Sequence, residues 1–257
     1  MKGAILGDII GSRFERSGIK TTEFDLFSVE CSFTDDTVLT VAIAEAILAQ
    51  KDYAETVQEY ALRYPDAGYG GTFKKWMHGE IIGPYNSWGN GSAMRVSPVG
   101  WLFNDLETVR TEARKSAAIT HDHPEGIKGA EAIAAAIFLL RQGAEKEDIR
   151  KYVQETFGYN LRRTVEEIRP DYRFDVSCQG SVPESIIAFL DSKDLVDAIR
   201  LAISLGGDTD TQAAMAASLA EPFYGGVPPA LEEVMLAFLP NDFVDVMHRF
   251  ERALQVG

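Results

Sequence analysis

Only two cysteines, Cys31 and Cys178, occur in the 257 residues, far apart and in no CxxC spacing. That gives no disulfide framework and no cysteine-based zinc site. Long apolar runs are missing too, since the longest, Ala132 to Leu140, is too short to cross a bilayer as a helix. Asp8 interrupts the apolar stretch at the start, which therefore lacks the core of a secretion signal. A cytoplasmic chain with no membrane segment is the expectation. Positive charge is scarce, with 25 Lys and Arg against 39 Asp and Glu, for a formal net charge of −14. Such a surface is unsuited to coating nucleic acid nonspecifically. It does not exclude an anionic ligand, because bound metal reverses the field inside a cleft. Linkers rich in Pro or Ser, low-complexity tracts and repeats are all lacking, so residues 1–257 are expected to form one domain. Strand-like alternation is nearly absent and helical periodicity dominates, which predicts an all-α chain.

What is present centres on Gly206-Gly207-Asp208-Thr209-Asp210-Thr211, between the apolar helical runs Leu195–Leu205 and Gln212–Ala220. The glycines let the backbone turn, and Asp208 and Asp210, two residues apart, can converge on one point. Far upstream, Phe33-Thr34-Asp35-Asp36-Thr37 repeats the pattern just ahead of another helical run, Thr37 to Gln50. Either cluster alone serves as a helix N-cap with acids against the dipole. Together they exceed what capping requires, and oxygen-only clusters suit hard cations such as Mg²⁺ or Mn²⁺.

Gly3, Gly7 and Gly11 recur every four residues, which on a helix makes a smooth face for close approach of a second helix. Asp8 among them is hard to explain as packing. Glu15, seven residues later, returns to nearly the same face and is either a site residue or a salt-bridge partner of Arg13 or Arg16. Gly89-Asn90-Gly91-Ser92-Ala93-Met94-Arg95 offers either N–H groups to an anion at a helix start near Ser92 or a capped turn with a surface arginine. The histidines of Thr120-His121-Asp122-His123-Pro124 lack the companions zinc needs, which leaves capping or substrate contact. Pro124 suits the first turn of a helix to Arg141, and Pro183 the start of another after a loop from Cys178. Further helices are expected over 53–63, about 72–78, from a capping box at Asn104-Asp105-Leu106-Glu107 to about Ile119, within 145–170, and over Pro229–Leu239 and Asp242–Leu254.

In their order, GDIIGSRFE (7–15), FTDDT (33–37), GNGSAMR (89–95), HDHP (121–124) and GGDTDT (206–211) resemble the ADP-ribosylglycohydrolase family. The resemblance spans about residues 3 to 225. It implies a compact orthogonal multi-helix domain, all-α, with a central binuclear metal site holding two Mg²⁺ or Mn²⁺ ions. By the same resemblance, Thr34, Asp35, Asp36 and Asp210 hold one ion, and Asp208, Asp210 and Thr211 the other. Glu15 matches a glutamate that reaches the second ion in some members. Asn90, Gly91, Ser92, Met94 and Arg95 fall in the part that cradles diphosphate or ribose, His121 and His123 in the histidine loop, and Ser181 and Val182 in the nucleoside pocket.

The implied activity is hydrolysis at the anomeric carbon of ADP-ribose, with Glu15 or Asp36 as the base. The implied partner is an ADP-ribose-bearing protein, nucleic acid or small conjugate. A non-catalytic ADP-ribose binder or structural descendant and a two-metal phosphoesterase are the alternatives. Clustered carboxylates repel by about 4 kcal/mol per pair at ~4 Å and an effective dielectric near 20, a cost that two divalent ions relieve.

Overall fold

The glycine face of the first helix, α1 (Lys2–Gly11), meets α13 (Thr209–Phe223) in near-contact of the two backbones. A Cβ built on Gly3 or Gly7 would lie 2.3 Å from the carbonyl oxygen of Ala217 or Ala213, and one on Gly11 would lie 2.6 Å from the Cα of Asp210. The obstacles are main chain, so they cannot swing aside. Gly7→Ala is expected to cost about 1–3 kcal/mol, as overpacking does. Chemical denaturation of the variant checks this, and an unchanged midpoint would contradict so tight a contact.

The computed structural model describes residues 1–256. A 3₁₀ turn (Ser12–Phe14) follows α1, and an irregular segment then leads to α2 (Asp35–Ala49). Next come α3 (Tyr53–Arg63), α4 (Gly71–Met77), α5 (Gly91–Met94), α6 (Ser97–Leu102), α7 (Leu106–Ala118) and α8 (Pro124–Arg141). The remainder is α9 (Lys146–Phe157), α10 (Val165–Ile168), α11 (Cys178–Asp191), α12 (Leu195–Ser204), α14 (Pro229–Leu236) after α13, and α15 (Asn241–Val256). Among the described residues there is no strand, only an isolated bridge between Gly89 and Ser177. The expected all-α fold is what the chain adopts.

Helix α13 lies at the centre, packed against α1, α2, α5, α8, α11 and α12. Residues 209–221 are all buried, which explains why α13 is rich in alanine and carries no polar face. Helices α2 and α8 are buried along most of their length for the same reason. Outer helices bury one stripe only, as α9 does with Ile149, Val153 and Phe157 at four-residue spacing. One connected apolar core runs from Met1 to Phe250.

Two boundaries differ from expectation. Helix α11 begins at Cys178, five residues before Pro183, because the Ser177 side chain accepts from the Gly180 N–H and caps the extra turn. Pro183 therefore sits inside the helix. Helix α7 is capped by Asp105, whose carboxylate accepts from Thr108 N at 2.8 Å, one position later than a box opened by Asn104.

The irregular segment after Glu15 is tied down by basic side chains. The Lys20 ammonium donates to the carbonyls of Tyr172 and Leu205, and Arg200 donates to those of Thr22 and Phe24. These bonds fix the chain that carries Glu15 to the end of α12, beside the turn leading into α13.

Candidate metal centre and active site

A cleft of about 530 Å³ opens where α2, α5 and α13 meet. Glu15, Asp35, Asp36, Asp208, Asp210 and Thr211 line one part of it. Gly68, Gly70 to Phe73, Tyr85 to Gly91, Met94, Arg95, His121, Phe174 and Val176 supply most of the rest. The volume is typical of a small-molecule site. The two acidic stretches, far apart in sequence, thus share one cavity. The reason is mechanical: α1 and α13 lie side by side, and the start of α2 is hydrogen-bonded to α1.

Asp8 makes that last connection. It is fully buried, and its carboxylate accepts from Thr34 N at 2.9 Å, Thr34 Oγ1 at 2.7 Å, Thr37 N at 3.1 Å and the Thr37 hydroxyl. Three of these donors share Oδ2, and the Thr34 hydroxyl takes Oδ1, which keeps a lone pair. Asp8 therefore orients the 34–37 turn, though one of its oxygens also lies within reach of Asp36 and Asp210. The sequence marked Asp8 as out of place on an apolar helix, but its partners become visible only once α1 and α2 are brought together.

Two groups of three carboxylates converge so that one oxygen from each lies within 4.8 Å of the others: Asp8, Asp36 and Asp210, and Glu15, Asp208 and Asp210. Asp210 belongs to both. Asp35 joins neither group, although it lines the cleft, where Gly68 (φ +108°) leaves room beside its carboxylate. Thr34 gives its hydroxyl proton to Asp8 and accepts from Asp36 N at 3.2 Å. Thr211 gives its proton to Asp36 Oδ2 at 3.1 Å. Each threonine keeps a lone pair for a cation. Asp36 Oδ1 is buried with no hydrogen-bond partner, an orphan acceptor of the kind a metal ion satisfies. An all-oxygen donor set with that orphan fits a hard divalent ion.

Electrostatics agree. Burial, then repulsion from Asp210, pushes the Asp36 carboxyl well above the usual range, and burial followed by Asp208 does the same to Asp210. Burial raises Asp35 to about 8, and Asp8 and Asp208 to about 6. Native carboxyls with raised values hold more protons than the unfolded chain. Metal-free stability is therefore greatest near the unfolded carboxylate value of about 4 and is lost as pH rises through the folded values toward 8. In chelator, melting temperature is expected to fall by roughly 4–8 °C from pH 5 to pH 8, about 2 kcal/mol. Calorimetry with saturating Mg²⁺ or Mn²⁺ should flatten that slope, and a slope unchanged by metal would speak against ligation.

Other residues singled out in the sequence are distributed unevenly. Asn90 Nδ2 donates to Asp208 Oδ2 at 2.7 Å and aligns that carboxylate. Gly91 and Met94 line the cleft. Ser92 does not: it is fully buried, and its hydroxyl donates to Gly126 O. Ser181 and Val182 are also fully buried inside α11, with the Ser181 hydroxyl donating to Ser177 O. The substrate contacts expected of these three have no open surface to form on and are corrected. His123 caps α8, its Nδ1 accepting from Glu125 N at 3.1 Å, and stays outside the cleft lining. His121 lines the cleft, its ring against Gly91. Arg95 is neither a surface residue nor free at a helix start, since it is completely buried and donates to Ser116 O and Thr120 Oγ1.

Sequence reasoning missed the glycine turn at 68–71. Gly70 precedes α4 with no side-chain cap, and Gly70 to Phe73 line the cleft.

The chain matches a model of the family described as ADP-ribosylglycohydrolase over residues 1–251. The relative ADP-ribosylhydrolase ARH3 of Gallus gallus is 28% identical, with 93% of this chain and 88% of that protein covered. Its human counterpart is 27% identical over 88% of this chain and 84% of its own. The ADP-ribosylarginine hydrolase Tri1 of Pseudomonas putida (strain GB-1) is 29% identical over 65% of this chain and 47% of its own. A solved structure described as an ADP-ribosylglycohydrolase-related protein complex superposes with a TM-score of 0.75 at 22% identity, over 98% of this chain and 95% of that one, which shows a shared fold. The alignment with the chicken protein runs over 323 residues, more than the chain's own 257, so it leaves gaps on this chain's side. From the whole-length family match, this chain belongs to the ADP-ribosylglycohydrolase family.

Proposed function

We propose that this chain, acting as a single domain, is a hydrolase that releases ADP-ribose from a modified acceptor by cleavage at the anomeric carbon, dependent on two Mg²⁺ or Mn²⁺ ions. The observation that carries it is the convergence of Asp8, Asp36 and Asp210 in one group and of Glu15, Asp208 and Asp210 in another, with Asp210 common to both. Thr34, Asp35, Asp36 and Asp210 would hold one ion, and Asp208, Asp210 and Thr211 the other. When bound, the ions supply charge neutralisation and Lewis acidity.

The protein's own groups divide the remaining work. Glu15 is the one exposed carboxylate of the cluster, able to exchange a proton with solvent, and takes the proton from the attacking water. Asp36 is less suited to that task, because it is buried and its Oδ2 is occupied by Thr211. Asn90 keeps Asp208 from rotating away. The acceptor would be an ADP-ribosylated side chain, as arginine is in the name of Tri1, with nucleic-acid and small-conjugate linkages also admitted by the open cleft.

Arginine-, serine-, nucleotide- and acetyl-linked ADP-ribose conjugates, each incubated with Mg²⁺ and Mn²⁺ and read by mass spectrometry, test this. Free ADP-ribose with intact acceptor is expected. Cleavage within the diphosphate would make the protein a phosphoesterase, and calorimetric binding of ADP-ribose without product would make it a binder.

A further inference from the structure

We propose that Arg95 and Thr120 form a buried positioning pair that fixes His121 in one tautomer, with Nδ1 bare and Nε2 carrying the proton toward the cleft. The role assigned to that donor rests on the proposed function, whereas the tautomer itself does not.

The allocation of protons among these three side chains decides the tautomer. Arginine only donates, so the Arg95 Nη2 contact to Thr120 Oγ1 at 2.9 Å uses a lone pair of the threonine. The same Arg95 nitrogen donates to Ser116 O at 2.8 Å, which holds the guanidinium in place at the end of α7. Thr120 Oγ1 also lies 2.7 Å from His121 Nδ1. Its own proton is free for that contact, which leaves Nδ1 as the acceptor. Among the described residues the Thr120 hydroxyl, which is fully buried, has Arg95 and His121 as its hydrogen-bond partners. Were the imidazole to donate from Nδ1 instead, the threonine's own proton would be left with no acceptor in a buried site.

Burial, followed by the positive charge of Arg95, drives the imidazole well below its usual value, so the ring stays neutral and carries one proton only. With Nδ1 bare, that proton resides on Nε2. Nε2 faces the Gly89–Gly91 turn, and a Cβ at Gly91 would lie 3.2 Å from it. The missing side chain there gives the ring its access to the cleft. A neutral Nε2–H is a hydrogen-bond donor with no basic lone pair. His121 is thereby suited to a phosphate or ribose oxygen and unsuited to proton abstraction.

Long-range ¹H–¹⁵N correlation spectra of the full-length, metal-free protein labelled at histidine report the tautomer directly, with His121 assigned from the His121→Asn spectrum. The expected result is a pyrrole-like Nε2 and a pyridine-like Nδ1. A protonated Nδ1 in the wild type overturns the proposal. In Thr120→Val the Nδ1 contact is lost, and both tautomers should appear. ADP-ribose affinity by calorimetry should then weaken about tenfold, as for one lost hydrogen bond. Thr120→Ser should restore the single tautomer and bring affinity to within about twofold of wild type. A Thr120→Val spectrum unchanged from wild type would also overturn the pairing. If wild-type protein shows the expected tautomer but binds no ADP-ribose, the proposed function fails and the pairing stands.

Discussion

Asp210→Asn is expected to reduce metal-dependent release of ADP-ribose by on the order of 10³-fold, about 4 kcal/mol in the barrier, with the fold preserved. Both carboxylate groups include Asp210, so one substitution weakens two metal positions at once. The amide is nearly the same size and can keep the contact from Thr211 N to Oδ1 at 2.9 Å, so packing of α13 is undisturbed. Without metal, the exchange also removes a buried carboxyl that is raised by desolvation and by Asp208. The variant's melting temperature in chelator should therefore equal or exceed that of wild type, while the increment gained from Mg²⁺ or Mn²⁺ shrinks. Turnover within tenfold of wild type at matched metal would remove Asp210 from its central place.

Asp8→Ala is expected to be the most damaging change for stability, at about 3–5 kcal/mol, the range for breaking a buried charged network. It would strand the N–H groups of Thr34 and Thr37 and both hydroxyls, those of Thr37 in a fully buried position. Asp8→Asn keeps the volume but turns one acceptor into a donor facing donors. It should cost less than alanine and still lower metal affinity by roughly 10–100-fold, as loss of a residue orienting ligands does. Urea denaturation and metal titration by calorimetry separate the two effects. A stability loss under ~1 kcal/mol for the alanine variant would mean that the 34–37 turn holds itself.

Much of the fold was legible because punctuation residues stood at helix ends. Pro124 at the first turn and Arg141 in the last match the bounds of α8, and the 53–63 pattern is α3. Pro183 misled for a physical reason: the same residue that opens helices is also tolerated within one whose start is held by an upstream cap, and Ser177 is that cap. The acidic half of the cleft was legible because starting one helix consumes a single capping side chain, and the surplus Asp and Thr then need a cation to balance them. Ser92, Ser181 and Val182 were not, since small residues look alike in sequence whether they face a cavity or a neighbouring helix. Arg95 was weighed as an anion-binding or surface residue, and the third option, a guanidinium with no exposed surface anchored to α7, required knowing that α5 and α7 touch. Asp8 stood out, but its role depended on a contact between two elements that no local pattern encodes.

The seam between the first helix and the thirteenth has a consequence for biosynthesis. The Thr209 hydroxyl donates to Gly11 O across 198 positions of chain, so the partner of the glycine face leaves the ribosome long after that face does. Until then Ile5, Ile9 and Ile10, each without exposed surface in the finished protein, have no native place to hide. Closing so long a loop delays the pairing that rewards it. Nascent chains stalled before about residue 210 should thus present this N-terminal segment to chaperones and proteases, and acquire protection only after α13 has emerged.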